Sequence, residues 1–108
     1  MQQAEVQWSH TERKIAKAAL KKAYDREIEA LIKNIRENAS LISRLEDVWQ
    51  LHDYLSAKRH DIDGKYDDRD EFLMFTLSQL VKSDLLDLSE LSELEAGKRA
   101  KIKLLTRM

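Results

Sequence analysis

Cysteine and proline are both absent from these 108 residues, and glycine occurs only at Gly64 and Gly97. Without cysteine there is no disulfide framework, thiolate zinc site or thiol nucleophile, and the reducing cytoplasm is the default compartment. Without proline, and with glycine so scarce, long stretches lack the two residues that most strongly interrupt helices. No run approaches the ~18 apolar residues of a membrane span, and Met1 to Ser9 has no signal-peptide pattern. Neither charge sign dominates: nineteen basic against twenty acidic residues give a net charge of -1, so no global field attracts nucleic acid or an anionic membrane.

What is present is a 43% hydrophobic and 36% charged composition rich in Leu and Ile, which describes a folded, highly solvated all-α chain with one modest core. Ser9 followed by Glu12 has capping-box spacing, so the first helix starts there with Trp8 as an apolar anchor, and residues 1–8 read as a loose tail. Apolar positions then recur at three and four: Leu20, Tyr24, Ile28, Leu31, Ile35, Ile42, Leu45 and Trp49. Ile28, Ile35, Ile42 and Trp49 are seven apart, and Leu31, Asn38, Leu45 and His52 follow each by three, an a/d pattern with polar residues at two d positions. Asn38 and His52 either specify a pairing register or simply face water. Asn38-Ala39-Ser40 either closes one helix and caps a second or lies within a single rod; both readings give an elongated stalk over 9–62.

Asp61 to Asp67, with Gly64 among aspartates, reads as the loop that ends the stalk. A head over 68–106 follows. Asp68 with Glu71 resembles a cap for a third helix carrying Phe72, Leu73, Thr76, Leu77, Leu80 and Val81. Asp87 with Glu90 resembles a cap for a fourth carrying Leu91, Leu94, Ile102 and Leu105, which Gly97 kinks or breaks.

Chemistry is hard to place. Setting Gly64 at the sixth position of a calcium loop puts Asp61 and Asp63 at the third and fifth, but Arg59 then occupies the first and Asp70 the last, which argues against calcium. The three histidines form no metal motif, and there is no phosphate cradle or nucleophile turn. Val48 to His60 instead concentrates Trp, Tyr, His, Asp and Arg, the residue types of protein-binding hot spots. Asp53 has no cation three or four residues away, and Arg59 is on another side of the same helix. An antiparallel second copy could bring its Arg59 to this Asp53 and use the pair twice; alternatively Trp49 packs within one chain while Asp53 and Arg59 face water.

The string Trp49-Gln-Leu-His-Asp-Tyr-Leu-Ser-Ala-Lys-Arg-His-Asp-Ile-Asp-Gly-Lys-Tyr-Asp-Asp-Arg69, with Trp8-Ser9, Ala23-Tyr24, Arg26-Glu27 and Lys101-Ile102-Lys103, resembles the cyanobacterial fluorescence recovery protein family. The resemblance implies an all-helical, non-enzymatic homodimer with no cofactor. Its implied partner is the orange carotenoid protein, a photoactivated quencher of the phycobilisome, whose return from red to orange form it speeds by docking on the C-terminal domain. Such a protein is cytoplasmic, and peripheral to the thylakoid only through that partner. Trp49, His52, Asp53 and Arg59 match the family's patch near the dimer interface, and Phe75 and Lys101 match head positions of partner contact. The competing reading is a dimeric helical adaptor for a different partner.

Overall fold

Four α-helices and one 3-10 turn make up the regular structure of residues 7–108, which are those the computed structural model describes: α1 (His10–Ser40), α2 (Leu45–Lys65), α3 (Asp70–Lys82), the 3-10 turn Leu88–Leu91, and α4 (Ala96–Thr106). The expected capping box opens α1. Glu12 N donates to Ser9 Oγ at 3.1 Å and Ser9 N donates to Glu12 Oε1 at 3.3 Å, satisfying two amides that the helix leaves orphaned. Ser9→Ala is therefore expected to cost about 1 kcal/mol, read as a lower thermal midpoint by circular dichroism. An unchanged midpoint would mean that Trp8 alone fixes this helix start.

Trp8 does not belong to a loose tail. It is 4% exposed and sits in the core, with the Lys98 ammonium 5.2 Å from its ring centroid. An indole is large enough that removing it from water offsets the ordering of the chain around it. The rest of the proposed tail, residues 1–6, lies outside the described residues.

Asn38, Ala39 and Ser40 complete the last turn of α1, and the chain breaks just after them, so the hairpin rather than the continuous rod is formed. Ser40 does not cap the second helix: its hydroxyl donates to Glu37 O at 2.7 Å. The cap of α2 comes from within that helix, where the Asp47 carboxylate reaches back to accept from Ser43 N and Arg44 N, each at 3.1 Å. These bonds hold the Asp47 carboxyl below the usual carboxylate range.

Of the expected Asp61–Asp67 loop, residues 61–65 are helical and only Tyr66 and Asp67 lie outside the helix. α2 runs through Gly64 to Lys65, because Lys65 pairs with Asp61 one turn back at 3.1 Å and is anchored on α1. The turn is displaced to Tyr66–Arg69, and Arg69, rather than Asp68, holds the cap position of α3. The Asp87–Glu90 box does form, but it opens only the 3-10 turn. Leu86, Leu91 and Leu94 are buried and Leu88 half-buried, and Glu90 of the box is held by Arg26 of α1. α4 starts only at Ala96, and Gly97 sits in its first turn without kinking it.

One core forms at the head. Leu73, Met74, Leu77 and Leu80 of α3 meet Leu86, Leu91, Leu94 and Ile102, and the other wall is Ala16, Ala19, Leu20 and Ala23 from the first half of α1. Small alanines allow close approach of the helices there. Arg26 ties the wall down through a bidentate pair with Glu90 at 2.7 and 2.8 Å and a bond to Leu85 O at 2.9 Å. The second half of α1 and all of α2 project beyond this core as the stalk. Extents of 54 × 31 × 24 Å and a radius of gyration of 17.1 Å, against about 13 Å for a compact chain of this length, express that elongation.

Candidate interaction surfaces

α2 has 21 residues and none is buried. Leu51, Leu55, Lys58 and Ile62 are half-buried along one side, and Lys58 there pairs with Glu27 of α1. At 100° per residue, Trp49 and Asp53 project from the opposite side of the helix, and Leu45 and His52 from the flank next to them. Trp49 is 57% exposed and Leu45 more so. A helix gains most of its stability by covering one apolar stripe. This one carries apolar side chains on two opposite sides, and a single chain covers only one of them.

Of the residues singled out from sequence, three stand together on that open side. Trp49 and His52 meet edge to face, with ring centroids 6.2 Å apart, and His52 Nδ1 lies 3.3 Å from Asp53 Oδ1. Arg59 does not reach Asp53 in one chain; its Nε is 3.9 Å from Asp63. The two polar d positions face water here. Asn38 bonds to Asn34, one turn back along α1, and the break between Ser40 and Leu45 interrupts the heptad register.

Phe75 and Lys101 lie on different helices of the head, α3 and α4, and both are exposed. Phe75 is 59% bare, and Lys101 makes no ion pair among the described residues. Phe72, not singled out in advance, lies nearby along α3 with the Arg69 guanidinium 4.5 Å above its ring.

Glu27 is the group that sequence reasoning missed. It is 5% exposed and gathers Lys65 Nζ at 2.7 Å, Lys58 Nζ at 3.3 Å and the Tyr66 hydroxyl, while Tyr24 packs edge to face on Tyr66 at 5.4 Å. This hub fastens α2 to α1 where the stalk leaves the head. The signal was a carboxylate in step with Leu20 and Ala23 on the apolar face of α1. The aspartates of the rejected calcium loop are dispersed: Asp61 pairs with Lys65, and Asp70 with Arg13 at 2.6 Å. Among the described residues no group of three His, Asp or Glu is placed to hold a metal ion, and no helix is long and apolar enough to cross a membrane.

The family model described as photoprotection regulator fluorescence recovery protein matches residues 8–106. This chain belongs to the fluorescence recovery protein family. Over 108 residues, all of this chain and 99% of the relative, it is 47% identical to the fluorescence recovery protein of Synechocystis sp. PCC 6803. The solved fluorescence recovery protein of Fremyella diplosiphon superposes with a TM-score of 0.91 at 52% identity, covering 94% of this chain and 100% of that one. The solved Synechocystis protein superposes with a TM-score of 0.91 at 47% identity and the same coverage. Family membership makes the chain a regulator of photoprotection, and the two-sided α2 and bare Phe75 are surfaces on which such a regulator can act.

Proposed function

We propose that the chain works as a symmetric dimer that binds the photoactivated orange carotenoid protein on its C-terminal domain and speeds return from the red to the orange form. Phycobilisome quenching then ends and antenna fluorescence recovers. The observation that carries this reading is that α2 exposes Leu45 and Trp49 on the side it does not turn to α1, while a separate aromatic, Phe75, stays bare on the head. One surface suits a second copy, with Asp53 and Arg59 pairing across it, and the other suits the partner. The protein is then peripheral to the thylakoid through that partner alone.

Acceleration requires that the regulator bind the transition state for domain closure more tightly than the red state. Each ~1.4 kcal/mol of that difference gives roughly tenfold in rate. Weak binding of the orange product lets one dimer act repeatedly.

The test is the dark decay of red absorbance with a substoichiometric amount of this protein. Clear acceleration is expected, and Phe75→Ala or Lys101→Glu should remove about tenfold or more of it while leaving mass and helix content unchanged. Binding without acceleration would favour a helical adaptor.

A further inference from the structure

Four polar side chains are buried among the described residues: Glu27, Thr76, Ser78 and Lys98. Glu27 is the stalk hub, and Lys98 pairs with Glu12 at 2.8 Å. Thr76 and Ser78 have no charge to neutralise, and they sit in a helix whose other buried positions are Leu73, Met74, Leu77 and Leu80. A buried hydroxyl is tolerated only when it is bonded, so the acceptor each one chooses says what it holds in place.

Thr76 bonds outside its own helix. A threonine within a helix ordinarily returns its hydroxyl to a carbonyl three or four residues back. Thr76 Oγ1 instead donates to Asp67 O, nine residues back in the turn that follows α2, at 2.8 Å. That turn is fixed from the stalk side, since Tyr66 belongs to the Glu27 hub and Arg69 grips the Asp67 carboxylate at 2.6 Å. Ser78 works within α3: its hydroxyl donates to Phe75 O at 2.7 Å, and Thr106 Oγ1 of α4 stands 3.5 Å from Ser78 O. One flank of α3 is thus tied to the turn, and the other lies on α4.

The two flanks bracket one surface. At 100° per residue, Ser78 and Thr76 bound an arc of about 160° within which Glu71, Phe72, Phe75 and Lys82 project, and the buried Leu73, Met74, Leu77 and Leu80 occupy the rest of the circumference. Phe72 and Phe75 are the exposed rings on that arc. Because side chains reach about 5–6 Å from a helix axis, turning α3 by about 20° would carry Phe75 about 2 Å. Aliphatic side chains can repack under such a turn, whereas a hydrogen bond weakens steeply with distance and angle. We infer that Thr76, with Ser78 as its counterpart on the α4 side, is a positioning residue: its bond to Asp67 O sets the rotation of α3 and so the place at which Phe75 meets the partner protein. The inference rests on the recovery reading and adds which buried groups aim its contact residue.

The experiment compares Thr76→Val, which keeps the branched shape and loses the hydroxyl, with Thr76→Ser, which keeps the hydroxyl, after confirming helix content and mass for each. In the dark decay of red absorbance, Thr76→Val should lower the acceleration about fivefold, the rate equivalent of one ordinary hydrogen bond, and Thr76→Ser by about twofold or less. In a Phe75→Leu background the Thr76→Val change should cost about twofold or less, because the ring it aims is gone. An equal loss in both backgrounds would make Thr76 merely structural and overturn the assignment, as would a Thr76→Val protein that matches the unmodified chain. Independently of any partner, nuclear Overhauser contacts of the Phe75 ring should change in Thr76→Val and persist in Thr76→Ser; contacts unchanged in both would also overturn it. No acceleration by the unmodified chain would overturn the recovery reading itself, and the ring contacts would still decide whether Thr76 aims Phe75.

Discussion

Glu27→Ala should destabilise the protein by about 3 kcal/mol, because it leaves the largely buried Lys65 ammonium with only the exposed Asp61 carboxylate and the Tyr66 hydroxyl without its acceptor. The consequence goes beyond a lower denaturation midpoint. α2 buries no residue of its own, so losing the hub should let the stalk splay from the head, seen in solution scattering as a radius of gyration above that of the unmodified protein under the same conditions. A cost below about 0.5 kcal/mol would show that half-buried Leu51, Leu55 and Ile62 hold the hairpin unaided.

The same hub sets a pH window. Burial pushes the Glu27 carboxyl up, but the bonds from Lys65, Tyr66 and Lys58 outweigh it and the net direction is down. A carboxyl lowered by folding contributes stability above its ordinary value near 4.5, and that contribution is lost as pH falls through the folded value. Glu90 adds to this acid limb, held well below the carboxylate range by the Arg26 guanidinium. At the other end, burial and the Glu27 bond push the Tyr66 hydroxyl up. Lys65 also moves up, because its bonds to Glu27 and Asp61 outweigh burial. Both groups keep their protons longer in the folded state, so their contribution is present below about pH 10 and is lost as pH rises through the folded values. Denaturant midpoints should fall on both sides of a neutral plateau, and Glu27→Gln should shorten the acid limb. A slope unchanged by that substitution would assign acid sensitivity to Glu90 and the surface pairs.

Trp49→Glu should convert a dimer into a monomer. By symmetry the substitution acts twice, removing two aromatic anchors and placing two carboxylates in an apolar contact, which together should weaken association by about a thousandfold or more. Light scattering after size exclusion reads this as a halved mass at micromolar concentration. The head core excludes Trp49, so helix content there should survive. Asp53→Leu separates packing from ion pairing: a changed mass supports the Asp53–Arg59 contact between copies, and an unchanged mass leaves Leu45 and Trp49 to form the interface. If the unmodified chain is itself monomeric at these concentrations, the dimer reading fails.

All-helical content, the Ser9 and Asp87 caps and the patch containing Trp49, His52 and Asp53 were legible from the chain alone, because each depends on residues within a turn or two of one another. A capping box is a matter of spacing three, and a helical face of spacing three and four. Trp8, Gly64 and the Asp87 box were read for their local tendency, and each was redirected by distant partners. Burial beside Lys98 drew Trp8 into the core, and the Glu27 hub carried α2 through Gly64. The Asp87 box, its Glu90 held by Arg26 of α1, opened only a single 3-10 turn. Only the tertiary structure decided that the chain folds back after Ser40, that Glu27 meets Lys58, Lys65 and Tyr66 from more than thirty residues away, and that Gly64 and Phe75 line one groove. Those outcomes hang on contacts between helices, where the free energy of burying a charge or an indole depends on what the rest of the chain brings to meet it.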